Sequence, residues 1–116
     1  MKKLIALLIL TFSVSTMAGD LTCSGTEPFW GLQIKRDKVL FFGPKVKIIT
    51  TEKIMSKRDA VNTNSDFAFV VTTESKATAT VVTGECNDGM SDKTYSKHII
   101  YKNNEFVLYG CCEELK

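Results

Sequence analysis

Residues 94–112, TYSKHIIYKNNEFVLYGCC, decide how this chain folds. Two runs rich in Tyr, Ile, Val and Phe flank Asn103-Asn104, a pattern that reads as two antiparallel strands joined by a tight turn. With a two-residue turn, Lys102 faces Glu105, Tyr101 faces Phe106, Ile99 faces Leu108 and Tyr95 faces Cys112. Side chains alternate across a strand, so the Tyr101, Ile99 and Tyr95 pairs, aromatic and aliphatic, form the core face. Ile100 opposite Val107, His98 opposite Tyr109 and Ser96 opposite Cys111 form the outer face. The neighbours Cys111 and Cys112 therefore project to opposite sides, and one strand end can be tied in two directions.

Further upstream the same signature recurs: WGLQIKR (30–36) and VLFF (39–42) around Asp37-Lys38, KVKIIT (45–50) after Gly43-Pro44, DFAFVVTT (66–73) and TATVVTG (78–84). These runs are rich in β-branched and aromatic residues. Residues 57–66, KRDAVNTNSD, are polar without alternation and read as a loop. No stretch after the N-terminus carries a long apolar repeat at helical spacing, so helix is limited to a turn or so. The expected fold is all-β: a small antiparallel barrel or sandwich of seven to eight short strands, pinned by disulfides.

The first residues, MKKLIALLILTFSVSTMAGD, combine Lys2 and Lys3 with an apolar run from Leu4 to Leu10 and the small-residue ending Thr16-Met17-Ala18. This is the layout of a bacterial secretory signal peptide over residues 1–18, leaving residues 19–116 as one β domain. Thr11, Ser13, Ser15 and Thr16 break the apolar run too early for a membrane span. The expected location is the periplasm or the exterior. The whole chain has 15 Lys and Arg against 13 Asp and Glu. Without Lys2 and Lys3 these charges balance, which removes any bulk attraction to nucleic acid or anionic lipid.

All four cysteines, Cys23, Cys86, Cys111 and Cys112, lie in the exported part, where an even count points to disulfides. A bridge between adjacent cysteines would force a strained ring. Cys86 leads into the 94–101 strand and Cys111 lies at the far end of the hairpin beside Ser96. Cys86–Cys111 with Cys23–Cys112 is thus the preferred pairing; Cys23–Cys111 with Cys86–Cys112 stays open.

Two stretches stand out as motifs: Gly25-Thr26-Glu27-Pro28-Phe29-Trp30, and Cys86-Asn87-Asp88-Gly89-Met90-Ser91-Asp92-Lys93-Thr94-Tyr95 with a closing Gly110-Cys111. Together they resemble a family of uncharacterised exported bacterial proteins, of the predicted membrane protein or lipoprotein type. That family is marked by a GTEPFW-like start, a CSDGMSDR-Y stretch and a late GC. Asn87 stands where Ser is common and Lys93 where Arg is common. The resemblance implies export and disulfide use, and no mechanism. Some relatives occur beside domains similar to inhibitors of c-type lysozyme, which are small eight-stranded barrels. The Ser-Gly-x-x-Tyr loop of those inhibitors is not matched, because Pro28 stands where Tyr would be.

The candidate binding or structural residues are Glu27, Phe29, Trp30, Asp88, Gly89, Met90, Asp92 and Tyr95. Asp88 and Asp92 invite calcium, with Glu85 as a further ligand, but calcium takes six to eight oxygens and the alternating order of a calcium loop is missing. Asn87-Asp88-Gly89 reads better as a turn. A lone tryptophan in a domain of this size is a core residue before it is a ligand platform, and Glu27, if buried, needs a partner such as Arg36. His98, the single histidine, lacks the companions that zinc or nucleophilic chemistry requires. No cofactor, metal or catalytic set is expected. The sequence points to a non-enzymatic envelope protein that binds an unknown protein or glycan, with inhibition of a lysozyme-type hydrolase as the alternative.

Overall fold

The computed structural model describes residues 20–26, 29–43, 49–89 and 92–115. The expected signal peptide, most of the KVKIIT run, Glu27 and Met90 fall outside them. The described residues form eight strands and no helix: β1 Leu21–Thr26, β2 Phe29–Ile34, β3 Lys38–Phe42, β4 Thr50–Asp59, β5 Ala68–Thr73, β6 Thr78–Asn87, β7 Thr94–Lys102 and β8 Val107–Glu114. Each strand pairs antiparallel with the next, and β8 returns to β1, closing a barrel in simple chain order. Closure leaves no sheet edge unpaired along the seam, and it decides for the barrel over the sandwich. No helix among the described residues is long and apolar enough to cross a membrane.

The alternation anticipated for the last hairpin holds: Ile99, Tyr101, Leu108 and Cys112 are buried, while Ile100, Val107 and Tyr109 are exposed. Its register does not. Tyr101 pairs with Leu108, Ile99 with Gly110, His98 with Cys111 and Lys97 with Cys112, two residues away from the expected register. The cause is Asn103. Its Oδ1 accepts from the backbone N–H groups of Glu105 and Phe106 at 2.8 and 3.0 Å, and its own N–H donates to the Phe106 carbonyl at 3.0 Å. This side-chain turn takes Glu105 and Phe106 into the loop. Because the shift is by two residues, every side chain keeps its face.

Two strands differ from the expectation more fundamentally. The strand β1, LTCSGT, buries Leu21, Cys23 and Gly25 on alternate positions, and cysteine and glycine do not announce a core face. The strand β4 covers Lys57, Arg58 and Asp59, expected in a loop. Nearly every one of its residues is exposed, so backbone pairing to β3 and β5 holds it rather than an apolar face. A register shift between Ile54 and Ser56 bends it.

Trp30, only 1% exposed, is the largest fully buried side chain. Its ring lies 6.4 Å from Phe41, which stacks on Tyr101 at 4.7 Å and approaches Phe106 at 6.0 Å. Two glycines make the room. Gly25 sits directly opposite Trp30 on β1, and a Cβ there would fall on the indole Nε1, with Cε2 at 2.8 Å. A Cβ on Gly110 would collide with the Ser24 carbonyl oxygen and stand 2.7 Å from Trp30 Cζ2. The early Gly-Thr and the late Gly-Cys are thus two sides of one slot for the indole.

Candidate functional site

Both disulfides take the preferred pairing. Cys23 and Cys112 face each other across the β1–β8 seam, with Cα atoms 4.0 Å apart at a sequence separation of 89. The bond locks the two ends of the sheet together. Cys86 and Cys111, with Cα atoms 5.7 Å apart, join β6 to β8 past the start of β7. The route exists because the β6–β7 register slips between Thr83 and Cys86. Such a bulge bends the ribbon and delivers Cys86 to Cys111, the cysteine on the side opposite to Cys112.

The turn after Cys86 is an organised corner. Asn87 Oδ1 accepts from the Gly89 N–H at 2.6 Å, and Asn87 Nδ2 donates to the Lys93 carbonyl at 3.2 Å. Gly89 adopts a left-handed φ of 81°, where a side chain would be strained. The Tyr95 hydroxyl donates to Asp88 Oδ2 at 3.5 Å. Lys93 reaches Glu113 at 3.1 Å and lies 4.8 Å above the Tyr95 ring. The Glu113 carboxylate, through its hydrogen bond and charge, holds the Lys93 ammonium above its ordinary pKa.

Of the sequence-derived candidates, the structure brings Asp88, Gly89 and Tyr95 together and leaves Asp92 exposed. Tyr95 pairs with Cys86 on the β6 side, and on the β8 side the two-residue shift puts Lys97, not the expected Tyr95, opposite Cys112. Phe29 and Trp30 part company: Trp30 enters the core, while Phe29 is exposed and meets Phe42 edge-on at 6.0 Å. No group of three or more His, Cys, Asp or Glu side chains among the described residues is placed to hold a metal ion.

Two further features lie outside the set of candidate site residues drawn from the sequence. Outside the barrel, His98 Nε2 lies 2.9 Å from the Glu85 carbonyl oxygen and Nδ1 lies 2.6 Å from the Tyr109 hydroxyl. A carbonyl only accepts, so Nε2 donates to Glu85, and in the neutral ring Nδ1 receives the Tyr109 O–H. Tyr109, 58% exposed, is thereby fixed over the Cys86 sulfur, 3.8 Å from its hydroxyl. Inside the barrel, Lys97 is buried beside the Cys23–Cys112 bond, with Nζ donating to Thr83 Oγ1 at 2.9 Å. Alternation carried that signal, since Lys97 shares a face with Ile99 and Tyr101.

Tyr101 closes the core at the other end. Burial pushes its phenol above the ordinary tyrosine pKa, against a hydrogen bond with Asn103 that lowers it. Compared with family models, curated proteins and solved structures, the chain shows no match.

Proposed function

We propose that this protein is an exported, non-enzymatic binding module of the bacterial envelope, with a protein or glycan as its ligand. The observation that carries the reading is the outer face of β6–β8. There Val82, Ile100, Val107 and Tyr109 are exposed, with Ile100 directly opposite Tyr109 and Val107 opposite Lys102. Adjoining exposed apolar side chains on a covalently braced sheet are the ordinary substance of a recognition surface, and a tyrosine held by His98 is a suitable anchor. The ionisable side chains nearby have structural partners: His98 is bound at both nitrogens and Asp88 is bound to Tyr95. Disulfides of this kind fit an oxidising compartment.

The test is retention of envelope components on the immobilised chain. Ile100→Asp with Val107→Asp should abolish retention without altering the far-ultraviolet circular dichroism. Retention equal to that of the parent chain would remove this face from the account. A second reading, inhibition of a lysozyme-type hydrolase, draws support from the closed eight-stranded barrel, the architecture ascribed to such inhibitors, although fold alone does not confer function. Titrating a c-type lysozyme with the purified chain decides it: a stoichiometric fall in muramidase activity favours inhibition, and unchanged activity discards it.

A further inference from the structure

Lys97 sits where a lysine is seldom found. It is 8% exposed, on the inner side of β7 with Ile99 and Tyr101, and opposite Cys112 of the seam disulfide. Lysine is rarely buried to this degree unless paired, and a buried ammonium is costly without a counter-charge and acceptors for its three N–H groups. Among the described residues it has one close acceptor, the neutral Thr83 hydroxyl at 2.9 Å. The Glu114 carboxylate is 4.0 Å away, beyond hydrogen-bond reach, and 60% exposed. Glu114 lies at the end of β8 and pairs with Leu21 at the start of β1, so the ammonium stands near the end of the barrel where these strands finish.

We propose that this end of the barrel binds a small carboxylate through Lys97. The carboxylate takes the ammonium N–H groups that Thr83 leaves, and Glu114 yields its place beside Nζ. Several features select a monoanion over a phosphate. Among the described residues Lys97 is the buried cation at this end, and the Glu114 carboxylate 4.0 Å from its ammonium repels a dianion more strongly than a monoanion, while Glu113 is engaged by Lys93. Burial removes the solvent that would otherwise weaken a lone ammonium–carboxylate contact. The site lies inside the barrel rather than on the outer face of β6–β8, so the inference goes beyond the binding-module reading and names a second ligand by its chemical class.

The experiment is a titration of the full, disulfide-intact chain with sodium acetate, followed by amide shifts in ¹H–¹⁵N spectra. Chloride at equal ionic strength and inorganic phosphate serve as separate arms. A saturable shift at Thr83, Lys97 and Glu114 is expected with acetate, with a Kd of about 1–10 mM for so small a ligand. Lys97→Met should weaken it at least about tenfold, and Glu114→Gln, which removes the internal competitor, should tighten it about two- to fivefold. Thr83→Val serves as the second weakening variant should Lys97→Met fold poorly. Shifts that do not saturate, that chloride reproduces, that phosphate produces more strongly, or that survive both Lys97→Met and Thr83→Val overturn the proposal. Loss of the acetate site with retention of envelope components intact would defeat this inference alone; the converse would defeat the outer-face reading alone.

Discussion

The seam between β1 and β8 and the outlying strand β4 are both ordinary antiparallel structure, yet opposite forces hold them. At the seam, side chains do the work: Cys23 is bonded to Cys112, Trp30 fills the slot between Gly25 and Gly110, and Leu21 and Leu108 are buried. In β4 the backbone does it. Ten residues from Thr50 to Asp59 contribute no fully buried side chain. The strand is fastened by its ladders and by polar contacts: Ser75 to Glu52 at 2.7 Å, Lys57 to Asp66 at 2.6 Å and Lys57 to Asp59 at 3.1 Å. Burial opposes the charge on Lys57, but the hydrogen bonds it donates to Asp66 and Asp59, with their charges, outweigh it and raise its pKa. Exposed ion pairs are weak individually, so β4 should be the readier of the two regions to open.

Substitutions sharpen this contrast, beginning with the seam bond. Replacing Cys23 and Cys112 together by Ala should cost about 4–5 kcal/mol in urea unfolding, the scale for so long a closed loop. A loss below about 1 kcal/mol would mean the barrel closes without its clasp. Gly110→Ala should cost about 3 kcal/mol or more, because its methyl group meets both the β1 backbone and the indole. A neutral result would contradict the slot.

A smaller effect belongs to Tyr101. Its folded pKa is raised, so its contribution is complete below the unfolded value of about 10 and declines as pH rises through the folded value. Unfolding midpoints measured from pH 9 upward should therefore fall, and Tyr101→Phe should flatten that fall. An unchanged slope would assign the alkaline loss to other groups. Smallest of all, Lys57→Ala should change global stability by less than about 1 kcal/mol; a seam-sized loss would erase the distinction between the two regions.

The same contrast explains what could be read from the chain. Alternating apolar residues forecast the core positions Ile99, Tyr101 and Leu108, because burial writes itself into sequence periodicity, and Trp30 was legible as the lone tryptophan of a small domain. The hairpin register escaped by two residues, since the bonds from Asn103 to Glu105 and Phe106 are local side-chain chemistry that an apolar pattern does not encode. The strand β1 was hidden by a core face made of Leu21, Cys23 and Gly25, two of them small. The strand β4 was hidden because its pairing requires no apolar face. Of the candidate site, the turn chemistry of Asn87 and Gly89 was legible. The enclosure of Lys97 depends on a closed barrel, and alternation could mark its face but not its depth.

Native-state hydrogen exchange tests the central claim, that covalent and aromatic packing at the seam carries the fold while β4 rests on its ladder. Amides of β1 and β8 paired across the seam should exchange only through global unfolding, with the free energy measured in urea. Those of residues 56–59 should exchange through a smaller local opening. Equal protection of the two sets, or earlier opening at Cys23 and Cys112, would contradict the account.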